Sequence, residues 1–156
     1  MANRNSPGQI VISGDRAAVE AAVAGSKELG ARRGIVLPVS VAAHSSLMYE
    51  AAQGMARVLE PIAFADPSIP LLANADARPI TTASGARAEL IEHLTRGVDW
   101  VSAVQRMTAD GVTTFVEIGP GKVLTGLIKR IAPEAIAIAT DDASAPGGIV
   151  VPFLDA

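Results

Sequence analysis

The chain has 156 residues, a formal net charge of −3, 49% hydrophobic and 19% charged residues, 3% aromatic residues and no cysteine. Such a length and composition suit one globular domain that buries most of its apolar surface, and they argue against intrinsic disorder. The mild acidity and scarce aromatics argue against a nucleic-acid or anionic-membrane surface, and the lack of thiols excludes disulfides, a cysteine nucleophile and a cysteine-ligated metal.

The opening "MANRNSPGQ" has no apolar signal segment, and no run of about 18 apolar residues occurs, so a cytoplasmic protein is the default expectation. "QIVIS" (Gln9 to Ser13) reads as a short buried strand after the turn residues "NSPG". Asp15 starts a helical pattern with Val19, Ala22 and Val23 on one face and Gly30 as its stop. A second apolar strand is expected from Arg33 to Pro38, which would complete a strand–helix–strand unit without a glycine fingerprint for phosphate. Leu47, Met48, Ala51, Ala52, Met55, Val58 and Leu59 then repeat at helical spacing, with Ser45 or Ser46 able to cap the start. "IPLLAN" reads as another strand, and Ala86 to Leu94 and Trp100 to Met107 as helices. Thr113 to Ile118 reads as a strand leading through a tight turn into a helix from Lys122 to Ile131. Residues 141–156 are small, acidic and rich in Gly and Pro, as expected of a flexible tail. Strands alternating with helices imply an α/β fold class.

His44, in "LPVSVAAHSSLM", is the leading candidate for chemistry. An imidazole can exchange protons near neutral pH, and Ala42 and Ala43 leave space beside it. An isolated loop histidine is the commoner case. A base also needs a nucleophile or an acidic substrate proton, and no G-x-S-x-G elbow occurs: Val11 and Ala24 stand two positions before Ser13 and Ser26. Ser45 and Ser46 are more simply helix caps. "GPGK" (Gly119 to Lys122) fails as a phosphate loop, because Val116 and Val123 occupy the positions that require Gly and Ser or Thr. His93 lies near Glu89 and Glu92 on a helix pattern, where a solvated side chain is the plainer expectation. His44 and His93 are 49 positions apart, which is no local metal-ligand spacing, and no metal is expected.

Taken together, "NSPGQIVISG", "LPVSVAAHSSLM" and "FVEIGPGKVLTGLIKRI" resemble, in order and spacing, the carboxyl-terminal half of malonyl-CoA:acyl-carrier-protein transacylases. The similarity runs from about Asn3 to Ile131. It implies part of an α/β-hydrolase-like acyltransferase large subdomain (40–140) and the second half of a ferredoxin-like small subdomain (3–39). It also implies an activity in fatty-acid biosynthesis: an elbow serine takes malonyl from CoA, a histidine activates that serine, and the acyl-enzyme passes malonyl to the phosphopantetheine thiol of acyl carrier protein. The substrates would be malonyl-CoA and the loaded carrier protein, with no cofactor.

On this resemblance His44 matches the catalytic histidine. Asn5 matches an asparagine lining the small-subdomain side of the cleft. His93 falls where the family commonly has a glutamine whose backbone carbonyl orients the catalytic histidine. The elbow serine, the oxyanion loop and the arginine that pairs with the malonyl carboxylate all belong upstream of Asn3. The expectation is therefore a truncated product, an excised piece or one half of a split enzyme, inactive until a separate amino-terminal half supplies the serine. Two alternatives are an acyltransferase fragment of polyketide synthesis and a non-catalytic interaction module. "VAAH" fits neither of the acyl-selectivity patterns associated with the polyketide enzymes.

Overall fold

The structure, a computed structural model, describes residues 1–140. The tail expected over 141–156 lies outside the described residues. Contacts divide the chain into two compact units, Met1–Ala103 and Val104–Ala156.

The first unit begins with strands β1 (Asn3–Ser6) and β2 (Gln9–Val11), antiparallel about Pro7 and Gly8. Pro fixes the first turn residue and Gly8, at φ +74°, supplies the left-handed second one. Thus "NS" of "NSPG" belongs to a strand, and only "PG" makes the turn. The register shifts between Arg4 and Ser6, so Asn5 sits at an irregularity of the kind that re-aims a side chain. Helix α1 (Arg16–Gly25) starts as expected, with the Asp15 carboxylate accepting from the amides of Ala17 and Ala18. Such a cap contributes about 1 kcal/mol. The helix ends at Gly25 and not at Gly30.

The strand expected from Arg33 to Pro38 does not form. Apolar character alone cannot hold an extended segment, which needs a neighbour for its amides and carbonyls, and this one has no ladder partner among the described residues. Ile35, Leu37, Val39 and Val41 are instead about half exposed or more. The expected strand–helix–strand unit is therefore absent from this region.

A short 3-10 turn (Ser46–Met48) leads into helix α2 (Tyr49–Leu59), which buries Ala52 and Leu59. Arg87 ties off this helix: its guanidinium donates to the carbonyls of Leu59, Glu60 and Ile62, and its cation lies 4.8 Å from the centre of the Phe64 ring. Strands β3 (Leu71–Leu72) and β4 (Pro79–Ile80) form a small antiparallel pair, followed by helix α3 (Ala83–Glu92) with Thr82 as its cap. After α3 the chain returns to β1 as the parallel strand β5 (Val98–Asp99), giving the sheet order β2-β1-β5. Gly97 permits that return, since a Cβ there would stand 2.7 Å from the carbonyl oxygen of Met1. Asp99 then caps helix α4 (Trp100–Ala109), and the division between the units falls within this helix.

The second unit has its own strand–helix–strand arrangement. Strand β6 (Thr114–Glu117), helix α5 (Val123–Ile131) and strand β7 (Ile136–Ala139) follow one another, with β6 and β7 parallel. Phe115, Leu127, Ile128 and Ala139 form its buried side. A parallel pair requires a crossover, and the helix supplies it. No described helix is long and apolar enough to cross a membrane.

Candidate functional site

His44 occupies a turn just before the 3-10 segment, at φ +60°. That left-handed conformation is uncommon outside glycine and costs on the order of 1 kcal/mol or more, so surrounding bonds must hold it. Ser45 secures one side: its hydroxyl donates to the Ala42 carbonyl at 2.7 Å and accepts from the Leu47 amide at 3.3 Å. Both uses of the hydroxyl are structural, which agrees with reading Ser45 as a cap.

The carboxyl end of α3 secures the other side. The His44 amide donates to the Leu94 carbonyl at 3.0 Å. The imidazole Nδ1 lies 2.7 Å from the His93 carbonyl oxygen and 3.1 Å from that of Arg96. Carbonyl oxygens only accept, so Nδ1 must carry the proton, and in the neutral ring Nε2 keeps its lone pair. The last carbonyls of a helix have no amides beyond them to serve, and here they serve a histidine. Helix carbonyl ends also favour positive charge, the charge a base acquires on taking a proton.

Of the three residues singled out in the sequence, the structure brings two together. His44 and His93 have ring centroids 6.3 Å apart, but their bond runs through the His93 backbone. The His93 ring turns back on its own helix, with Nδ1 3.1 Å from the Glu89 carbonyl oxygen. Asn5 is half-buried on β1, and none of the hydrogen bonds described for His44 reaches it. Its neighbour Arg4 is pinned to Asp99, with Nη1 3.2 Å from Oδ2, while Asp99 also accepts the Ser102 amide and hydroxyl. Burial alone would raise the Asp99 pKa, but the Ser102 bonds and Arg4 together hold it below the ordinary carboxylate range.

The GPGK turn does not build a phosphate site. Glu117, at the end of β6, already occupies the amino terminus of α5: Oε1 accepts the Leu124 amide at 2.9 Å, and Oε2 accepts the Thr125 amide and hydroxyl at 2.7 Å each. The Thr125 amide does most to hold the Glu117 carboxyl below its ordinary range. Desolvation opposes it, and the Leu124 amide, the Thr125 hydroxyl and the Val123 amide add to it. Among the described residues no cluster of three metal-ligating side chains occurs.

The sequence alone did not single out Leu94 and Arg96, whose contribution is a carbonyl that every residue type possesses. The only signal available was the Glu92–Arg96 spacing of four, which makes an ion pair at 2.9 Å.

The acyl transferase domain family matches residues 1–144. The malonyl CoA-acyl carrier protein transacylase of Haemophilus influenzae is 46% identical over 140 residues, covering 90% of this chain and 45% of that protein. The structure of an acyl carrier protein S-malonyltransferase from Vibrio cholerae is similar at a TM-score of 0.88 and 43% identity, over 92% of this chain and 47% of that one. A malonyl-transacylase solved in complex with a type II PKS acyl-carrier protein matches with a TM-score of 0.87 and 43% identity, over 92% of this chain and 46% of the other. The chain thus spans about half the length of the curated relatives it matches.

Proposed function

Because this chain belongs to the acyl transferase domain family, we propose that it is the carboxyl-terminal part of a malonyl-CoA:acyl-carrier-protein transacylase and supplies the histidine base of a Ser-His acyl-enzyme mechanism. The observation that carries this is the Nδ1 of His44, 2.7 Å from a helix-end carbonyl, which leaves Nε2 as the basic nitrogen. In the mechanism, Nε2 takes the proton from a serine hydroxyl as the serine oxygen attacks the thioester carbon of malonyl-CoA. The carbon–sulfur bond then breaks, and the CoA thiolate leaves with the proton from Nε2. The phosphopantetheine thiol of the carrier protein next gives its proton to Nε2 and attacks the serine ester, and the serine oxygen leaves with that proton.

The serine of this mechanism must come from outside the 156 residues, which contain no nucleophile elbow. Removing the nucleophile and its oxyanion donors costs orders of magnitude in rate, so the chain by itself is expected to be inactive. Residues 3–39 would then contribute to the small subdomain, with Asn5 on the cleft side, and residues 40–140 to the large one. The exposed apolar string from Ile35 to Val41 offers a surface for the serine-bearing part. His93 would contribute its carbonyl alone, and the reaction asks for no cofactor.

Intact mass spectrometry after incubation with malonyl-CoA tests this. The chain alone should gain no malonyl mass. Mixed with a serine-bearing amino-terminal half from a relative, it should drive malonylation of that half. Malonylation of this chain alone, or no malonylation in the mixture despite stable association, would overturn the proposal, and the second result would favour an interaction module. Offering holo carrier proteins of fatty-acid and of type II polyketide origin to the malonylated mixture then decides which pathway it serves. The likeness to the transacylase solved with a PKS carrier protein warrants that second arm.

A further inference from the structure

All three carbonyls that hold His44 belong to one turn, from His93 to Arg96, at the end of α3. A helix end lacks following amides and frays readily, so such a turn keeps its geometry only when something else restrains it. Here the restraint comes from the loop between β3 and β4. Asp76, at the tip of that loop, takes a hydrogen bond from Arg96 Nη2 to Oδ2 at 2.9 Å, while Arg96 Nη1 donates to Glu92 Oε2 at 2.9 Å. Arg78 sits among the carboxylates, 3.7 Å from Asp76, 3.5 Å from Glu89 and 3.7 Å from Glu92. Glu89 is only 7% exposed and accepts both the backbone and the side-chain amide of Asn74. The loop therefore grips the last turn of α3 at Glu89 and Glu92 and the turn that follows it at Arg96.

Arg96 joins the two halves of this arrangement. Its guanidinium belongs to the ion-pair network, and its carbonyl receives the Nδ1 proton of His44 at 3.1 Å. Bonds to Asp76 and Glu92 hold the Arg96 pKa above its ordinary value. Burial alone would raise Asp76, but Arg96 and Arg78 together hold it low. Ion pairs as exposed as these contribute little to global stability. Their convergence on one turn is better explained by the geometry it fixes.

We propose that Asp76 and Arg96 are positioning residues: they fix the turn from His93 to Arg96 so that its carbonyls keep the His44 proton on Nδ1 and leave Nε2 basic. This rests on the reading of His44 as the base, and it adds that the ring's tautomer is set by an ion pair it never touches.

The test is the tautomer of His44 in the full 156-residue chain, read from its side-chain nitrogen-15 shifts above the pH at which the ring is charged. The wild-type ring should carry its proton on Nδ1. Asp76→Asn and Arg96→Gln should each shift the population several-fold toward the Nε2–H form, with circular dichroism unchanged. Arg106→Gln, which removes the pair with Asp110 in the second unit, should leave the spectrum as it is. If either of the first two substitutions proves unfolded, the other decides. A wild-type Nδ1–H ring that persists in the folded variants overturns the positioning role and leaves the base intact. A wild-type Nε2–H ring overturns both.

Discussion

At the carboxyl end of α3, backbone carbonyls take the Nδ1 proton of His44; at the amino end of α5, backbone amides give their protons to Glu117. Both arrangements satisfy groups that a helix leaves unpaired, and both place an ionisable side chain on the favourable pole of a helix dipole. They differ in what remains afterwards. Glu117 uses both carboxylate oxygens, so its charge is consumed by the fold. Among the described residues His44 uses one nitrogen of two, and the other is left with a lone pair. A helix end thus becomes a candidate catalytic feature when the side chain it holds keeps a reactive atom unengaged, and a structural one when it does not.

The largest effect on stability should come from Gly97, which brings the His44-holding turn back to β1. Gly97→Ala places a methyl group against the Met1 carbonyl oxygen, where the gap is 2.7 Å and the obstacle is backbone. Overpacking of that kind costs about 1–3 kcal/mol, read as a lower urea midpoint. An unchanged midpoint would mean that β5 and β1 need no such close approach.

Glu117→Gln should come next, lowering the thermal midpoint and weakening the acid sensitivity of the second unit. The sign follows from the depressed folded-state pKa of Glu117. A carboxylate of this kind stabilises the fold fully above its unfolded value and loses that contribution as pH falls through its folded one. Unfolding should therefore become easier below about pH 5. Asp76 and Asp99, also depressed, act in the same direction in the first unit. If Glu117→Gln gave the same acid titration as the wild type, the contrast between the two helix ends would lose its structural half.

Ser45→Ala should have the smallest effect, costing about 1 kcal/mol as a lost cap. It loosens one restraint on the His44 turn without removing the imidazole, so malonyl transfer in the reconstituted mixture should fall far less than in His44→Ala. A folded Ser45→Ala chain as slow as His44→Ala would make the Ser45 hydroxyl part of the chemistry and not only a cap.

Much of the fold was legible in the sequence wherever a side-chain signal coincided with a helix boundary or a long apolar period. Asp15 marked the start of α1, Ser45 or Ser46 the approach to α2 (Ser45 proves to cap the 3-10 turn before it), and "TTFVEIGPGKVLTGLIKRI" placed β6, its turn and α5 nearly correctly. Strands fared worse because pairing, more than composition, makes a strand. "NRNS" is polar yet pairs on both sides as β1, whereas "RGIVLP" is apolar yet pairs with nothing among the described residues. Two-residue strands such as β4 and β5 carry too little pattern to be seen in advance. His44 stood out because an imidazole side chain is visible in the sequence itself. Of the groups that orient it, only the His93 carbonyl was legible, through the family resemblance; carbonyls at Leu94 and Arg96 leave no mark on residue identity, and the Asp76–Arg96 pair spans 20 positions.

The most direct measurement compares malonylation of a serine-bearing half by the wild-type chain, His44→Ala and His93→Ala. If His44 is the base and His93 lends only its backbone, His44→Ala should slow the reaction by about 10²–10⁴-fold, and His93→Ala should leave it near the wild-type rate. A His44→Ala chain that sustains the wild-type rate, or a folded His93→Ala chain as slow as His44→Ala, would contradict that division of labour.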